Sequence, residues 1–304
     1  MTCGENPLAP AIPFNEKPEF TVGIPDRLSP LVRRVIARNP GPFTYTGTGT
    51  YIVGNGDVAI IDPGPADSAH IDAVLAAIEG EHVSHILVTH THVDHSPGCA
   101  LLQSACDAKT FGFGPHGLGR TEQLEEFGAD YDFTPDVLLT NSESLAGQDW
   151  TLQALHTPGH AANHLSFYLP QENALFCGDA VMGWSTTIVA PPDGNMKEYM
   201  ETLELLMKRQ DDIYYPTHGS PVMNPQEFLV ALHQHRVDRE QQALACIERG
   251  VNTIDRMVPE IYTELDPALH PAAAMSLFAT VECLAQQGRL TAESITLEAE
   301  YYPS

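Results

Sequence analysis

The segment THTHVDHSPG, residues 89–98, places His90, His92, Asp94 and His95 within six positions, directly after the apolar run Ile86-Leu87-Val88. Such a run, within VSHILVTH, reads as a buried strand ending at His90. If strand geometry continues, His90 and His92 alternate with Thr91 and project from one side, where both imidazoles can meet one ion. The chain must turn before Pro97-Gly98, so Asp94 and His95 can address a second ion beyond the turn. Neutral imidazole and carboxylate donors suit zinc, and also iron or manganese, so residue type alone leaves the metal open. An HxHxDH spacing after a buried strand is far more constrained than a His-rich surface tract.

Upstream, TGTGTYIVG (46–54) and DVAIIDPGP (57–65) read as strands joined by Asn55-Gly56, a strong hairpin signal, so the folded body is expected to open with this hairpin. Ile71, Val74, Leu75 and Ile78 fall at a helical period before the strand that leads to His90. Downstream, SPGCALLQSAC and MKEYMETLELLMKR read as helices, and KTFGFG, WTLQALHTPG, HLSFYLP and ALFCGDAV as strands. This irregular alternation favours a layered α/β architecture over a simple doubly wound sheet. Residues 1–30, with Pro7, Pro10, Pro13 and Pro18, are expected to form an extended arm, and 31–225 the body. Residues 226–304 read as a small helical unit: a long helix ending at Gly250, a second capped at Asn252 or Thr253, one or two more, and a short terminal hairpin.

Composition bounds the function. With 15 Lys+Arg against 40 Asp+Glu, the net charge of −25 repels phosphate backbones and disfavours general binding to nucleic acid or anionic membrane. Six scattered cysteines without CxxC spacing suit reduced thiols, and neither a leader segment nor an apolar run of membrane-spanning length is evident. These features lead us to expect a cytoplasmic protein.

One loop cannot supply a dinuclear site, and the sequence offers further donors at element ends: His160 in HTPGHAANH, Asp179 in FCGDAV and His218 in YPTHGS, each close to a glycine. HTHVDH, TPGH, GD and THG, in that order, resemble the metallo-β-lactamase superfamily over roughly residues 45–225. The resemblance implies an αββα sandwich with the metal centre at one edge. It also implies that His90, His92 and His160 hold one metal, that Asp94, His95 and His218 hold the other, and that Asp179 bridges them. GTGTYIVG, the run 183–206, HRVDRE at 235–240 and the helical tail further resemble the endoribonuclease-like branch, of the beta-lactamase-like protein 2 type, with its winged-helix-like C-terminal domain. Asp62, at the end of VAIID, resembles the superfamily's strand-end aspartate that orients a ligand histidine. His164, four residues after His160, lines the pocket or supports a ligand. Trp184 and Thr186 are candidates for contact with substrate, whereas Cys177 is expected to pack in the core and His116, His156, His233, His235 and His270 to be surface or structural.

Two divalent ions about 3.5–4 Å apart lower the pKa of a shared water toward about 7, which makes hydroxide available for attack on a carbonyl carbon or phosphorus. Asp94, nearest the open face, would help to orient that water, and no GxSxG elbow offers a competing serine nucleophile. The expected cofactor is two Zn2+ per chain, with iron or manganese as alternatives. The branch resemblance suggests RNA, but residues 226–304 carry five arginines and no lysine against twelve carboxylates, a net −7. A small-molecule ester, thioester or lactone fits this charge better, and single-stranded RNA is the alternative. A mononuclear-iron sulfur dioxygenase and a non-catalytic metal-binding module are the remaining readings; the module would be expected to lack a ligand, and all seven candidate ligands are present. An acidic two-domain hydrolase can also form a homodimer.

Overall fold

The computed structural model describes residues 11–15, 19–120 and 128–304, so most of residues 1–18, the outer part of the expected arm, lies outside the described residues. One sheet holds seven strands in chain order: β1 (Asp26–Arg27), β2 (Val32–Ile36), β3 (Gly49–Val53), β4 (Asp57–Ile61), β5 (His82–Leu87), β6 (Lys109–Gly112) and β7 (Val137–Leu138). The other holds six: β8 (Ser144–Ala146), β9 (Thr151–His156), β10 (Leu165–Leu169), β11 (Ala174–Gly178), β12 (Ile213–Pro216) and β13 (Val222–Met223). Helices α1 (Ser68–Ala77) and α2 (Gly98–Ala105) cover the first sheet, and α3 (Met196–Met207) and α4 (Gln226–Glu248) cover the second. The result is an αββα sandwich.

Side-chain alternation builds these layers. Tyr51, Val53, Ala59 and Ile61 point inward to meet Leu152, Leu165, Phe167 and Phe176 between the sheets. Their neighbours Ile52 and Ile60 point outward against Ile71 and Val74 of α1. Leu175, Cys177 and Tyr214 likewise face outward from the second sheet against Tyr199 and Leu203 of α3 and Phe228 of α4. Cys177 is thus a core residue. Asp67 caps α1 by accepting from Ala69 N–H (3.0 Å), and Asn195 caps α3 by accepting from Glu198 N–H (3.0 Å).

Two expectations are corrected. The body opens before the Asn55-Gly56 hairpin, because β2 (VRRVI) pairs antiparallel with β3. Its Arg33-Arg34 hides the strand pattern in the sequence, yet Arg34 is buried and donates to the Gly219 carbonyl (3.1 Å). The strand expected to run to His90 ends at Leu87, where Asp62 N–H takes up the Leu87 carbonyl (2.8 Å).

Beyond the sandwich come α5 (Ile254–Ile261), α6 (His270–Gln286) and the small antiparallel pair β14 (Leu290–Thr291) and β15 (Tyr302–Pro303), a winged-helix-like arrangement. Their core gathers Ile254, Met257, Leu277, Val281, Leu290 and Tyr301 around Ala243, Cys246 and Ile247 of α4. Because the first turns of α4 sit in the sandwich core, this one helix joins both cores. Contrary to the expectation that no apolar run reaches membrane-spanning length, Pro267–Gln286 is long and apolar enough to cross a membrane, but Ala273, Leu277, Val281 and Leu284 within it are buried inside this fold.

His70 of α1 is buried with Nε2 2.7 Å from Thr50 Oγ1, and burial pushes its pKa from 6.5 down to about 4. Between those values the unfolded chain binds more protons than the folded one, so folding stability falls as pH drops through this window. His70→Gln is expected to lose less stability than the parent between pH 6.5 and 4 in urea titrations. Parallel pH profiles for the two proteins would remove His70 as a source of acid sensitivity.

Candidate metal centre

The parallel pairs β4–β5 and β11–β12 send four chain ends to one edge of the sandwich. His90 to His95 follow β5, Asp179 follows β11, His218 follows β12, and His160 lies in the connection between β9 and β10. Backbone bonds hold this edge together: Gly49 N–H reaches the Thr217 carbonyl (2.9 Å), and Gly64 N–H reaches that of His95 (3.0 Å). The expected alternation of His90 and His92 along a strand does not occur. The turn after Leu87 nevertheless brings His90 Nε2 within 2.8 Å of His92 Nδ1.

Three overlapping groups have ligand atoms within 4.8 Å of one another: His90, His92 and His160; His90, His95 and Asp179; and Asp94, His95 and His218. His160 Nε2 lies 3.1 Å from His92 Nδ1. In the other group, Asp94 Oδ2 lies 3.2 Å from His218 Nε2 and 3.4 Å from His95 Nε2. Asp179 Oδ2 stands between the groups, 3.4 Å from His218 Nε2, 3.6 Å from His95 Nε2 and 3.7 Å from His160 Nε2. A dinuclear metal-binding site is therefore present, and its donor set fits two divalent cations. Among the described residues, His95 Nε2 and Asp179 Oδ1 are buried without a hydrogen-bond partner, a costly state that coordination relieves.

Surrounding groups set the orientation of the donors. Asp62 Oδ2 accepts from His95 Nδ1 (2.9 Å), leaving Nε2 to face the centre. The Ile188 carbonyl accepts from His160 Nδ1 (2.7 Å) with the same result. His218 Nδ1 donates to the Gly47 carbonyl (3.3 Å), and Thr48 Oγ1 donates to Asp94 Oδ2 (2.9 Å). His164 is fully buried and does not line the cavity. Its Nε2 accepts from Asp179 N–H (3.1 Å), so Nδ1 donates to Thr157 Oγ1 (2.8 Å). Gly178 permits that contact. Its φ is +52°, and a Cβ there would lie 2.5 Å from His164 Nε2.

Charge balance in the centre is strongly polarised. Burial lowers the His90 pKa well below the usual range, with the neighbouring His95 and His92 adding to the effect, and it lowers that of His160 to about 4, helped by His92. Burial acts the same way on His95 and His218, but the carboxylates of Asp94 and Asp179 outweigh it, raising His95 well above its usual value and His218 to about 10. Burial would raise both carboxylates, yet His95 and His218 hold Asp94 and Asp179 well below the usual range. The carboxylates thus favour positive charge in this centre, and bound metal ions would supply it in the protons' place.

A cavity of about 440 Å3 opens onto these groups, bordered on one side by His92, Asp94, His160, Asp179 and His218. Among the described residues the rest of its lining is apolar apart from Thr44, and includes Phe43, Met182, Ile188, Ala272 and Met275, with no lysine or arginine. Trp184 and Thr186 are not among the lining residues. Trp184 instead stacks on Tyr45, with centroids 4.7 Å apart and planes at 9°.

Segment 187–189, within the run 183–206 that carries part of the family resemblance, connects the C-terminal helices to the centre. Arg236 of α4, its guanidinium over the Tyr199 ring, donates to the Thr187 carbonyl, and Val189 N–H donates to Ser276 Oγ of α6 (3.2 Å). Between these two ties lies the Ile188 carbonyl that orients His160, while Thr187 Oγ1 donates to the Asp179 carbonyl (2.8 Å). No local pattern signals this arrangement, because Arg236 and Thr187 are 49 positions apart. His116 also lies nearer the centre than its sequence context suggests, with Nδ1 3.1 Å from Thr91 Oγ1.

The chain matches the Metallo-beta-lactamase superfamily over residues 45–218 and the Beta-lactamase associated winged helix domain over residues 253–296. It is 31% identical over 242 residues to an atrochrysone carboxyl ACP thioesterase of Aspergillus fumigatus, covering 75% of this chain and 70% of that protein. A beta-lactamase-like protein 2 homolog of Caenorhabditis elegans is 28% identical, covering 86% and 87% of the two chains. Among solved structures, a beta-lactamase domain protein from Burkholderia ambifaria superposes with a TM-score of 0.79 at 20% identity, covering 98% of this chain and 99% of its own. At that identity the likeness speaks to fold.

Removing the Arg236 tie should loosen His160. Arg236→Met is expected to weaken metal binding about 10–100-fold, as changes behind a metal ligand commonly do, measured by competition with a chromophoric chelator. Unchanged affinity in a folded variant would contradict the link through segment 187–189.

Proposed function

The chain belongs to the metallo-β-lactamase superfamily, and on that premise we propose that it hydrolyses the ester-type bond of a small molecule, with thioesters as the first class. As a metallo-hydrolase of that superfamily it carries the dinuclear site described above. We assign His90, His92 and His160 to one ion, Asp94, His95 and His218 to the other, and Asp179 to the position between them. Zinc is the proposed metal, since histidine and carboxylate donors at this density suit it, with iron and manganese as the alternatives. Bound ions would supply Lewis acidity and an acidified water.

The observation that carries the reading is the apolar cavity, without lysine or arginine among its described lining residues, that opens directly onto the donor cluster. Beyond the metal centre, a polyanionic RNA strand would find no lysine or arginine among the described lining residues to hold its phosphates, on a chain of net charge −25. A neutral acyl group meets no such penalty. The relative in Aspergillus fumigatus bears the name of a thioesterase, which supports the same class.

In this reaction a water oxygen bonds to the carbonyl carbon, the carbon–sulfur bond breaks, and the departing thiolate takes a proton; carboxylate, thiol and one proton result. The chain's own contribution is positional. Asp94 borders the cavity with Oδ2 held by Thr48, so its carboxylate can accept a hydrogen bond from the attacking water. Its low pKa suits orientation better than proton storage. Asp62, Ile188 and His164 keep His95, His160 and Asp179 in register, so little reorganisation accompanies the reaction.

Metal-loaded protein should turn over thioester in a panel that also holds lactones and single-stranded RNA, and EDTA should abolish that turnover. His92→Ala should lower it by at least about a hundredfold, above the range seen when a group behind a ligand is lost. RNA cleavage that vanishes in His92→Ala, without thioester turnover, would instead establish the endoribonuclease alternative.

A further inference from the structure

Ala272 and Met275 belong to α6, in the C-terminal region, yet both line the cavity that opens onto the metal centre. They lie three residues apart on one helical face, half-buried, while the adjoining Ser276 is buried and bonds to Val189. The cavity walls therefore come from two parts of the chain, the sandwich and the winged-helix region. Thr44, a polar lining residue outside the metal centre, already donates its hydroxyl to the Asn39 carbonyl (2.6 Å). A polar or charged substituent placed in the cavity would lose water and find few partners. At about 440 Å3 the space is within the range that encloses most of a drug-sized ligand.

We propose that this cavity binds an uncharged, apolar acyl group longer than acetyl, and that Ala272 and Met275 of α6 set the length it accepts. The inference rests on the ester-type hydrolase reading and adds to it the acyl class and the element that selects it. The reacting carbonyl sits at the metal-centre end, with the acyl chain directed along Ile188 toward α6. The apolar lining disfavours a second anionic group on the acyl chain, because burial there would strip its water and no lysine or arginine among the described lining residues would offset its charge.

The test uses the zinc-loaded full chain and N-acetylcysteamine thioesters of acetic, butanoic, hexanoic, octanoic and succinic acids. Each buried methylene should raise kcat/KM about fourfold until the cavity is filled, and the succinyl thioester should fall at least about tenfold below the butanoyl one. Ala272→Phe should reduce the octanoyl-to-acetyl ratio of kcat/KM at least about tenfold by occupying the space of several methylenes. Met275→Ala should shift the preference toward longer chains, so a folding defect in one variant cannot imitate the pattern. Equal kcat/KM at every length in the parent, or ratios unmoved in both variants, would overturn the proposal.

A binding measurement separates this inference from the hydrolase reading. The neutral dye N-phenyl-1-naphthylamine should fluoresce on binding the parent and lose most of that signal in Ala272→Phe. That result without any thioester turnover would refute the hydrolase reading and keep the cavity assignment. Thioester turnover without length preference, together with dye binding insensitive to Ala272→Phe, would refute the cavity assignment and keep the hydrolase.

Discussion

The Asp62 carboxylate is the contact on which the rest of the centre depends. It is buried and accepts from Thr89 N–H (2.7 Å), Thr89 Oγ1 (2.8 Å), His95 Nδ1 (2.9 Å) and Thr217 Oγ1 (3.2 Å). Asp62 follows β4, Thr89 follows β5 and Thr217 follows β12, so one side chain ties together strand ends from both sheets. A buried carboxylate is tolerated only when its oxygens are satisfied. These bonds satisfy it, and they fix the ends that carry His90, His95 and His218. The residue adopts φ +50° to do so, a backbone state that aspartate accepts more readily than most residues.

From that hub the site is assembled in widening circles. The donors form three overlapping groups, Ile188 and His164 fix what Asp62 does not reach, and segment 187–189 is itself held by Arg236 and Ser276. The C-terminal helices are consequently part of the centre's support and of its cavity wall. Their net negative charge, which argues against a role in RNA recognition, is compatible with that task because the residues that face the centre are a buried arginine, a serine, an alanine and a methionine.

Much of this was legible in the sequence for a physical reason: the chemistry is concentrated in short segments. HTHVDH, TPGH, GD and THG each carry donor and turn residue together, so the clustered residues could be named without knowing the topology. The family resemblance that those motifs carry implied the αββα class, and the Asn55-Gly56 hairpin was legible from its turn residues between two strand-like runs. Strand limits were less legible. Two arginines masked β2, since the burial of Arg34 depends on the Gly219 carbonyl far along the chain. β5 stops short of His90 because Asp62 captures the Leu87 carbonyl, which the apolar run does not reveal. Trp184 stacks on Tyr45 rather than lining the cavity, while Ala272 and Met275, unremarkable in sequence, do line it. Side chains whose roles come only from long-range packing leave no local pattern to read.

The central claim is that this edge of the sandwich holds two ions with Asp179 between them. Anomalous diffraction from crystals of zinc-loaded protein, recorded on both sides of the zinc absorption edge, tests it most directly. The account predicts two peaks per chain, one beside His90, His92 and His160 and one beside Asp94, His95 and His218, each within reach of the Asp179 carboxylate. A single fully occupied peak, or two peaks of which neither contacts Asp179, would contradict it.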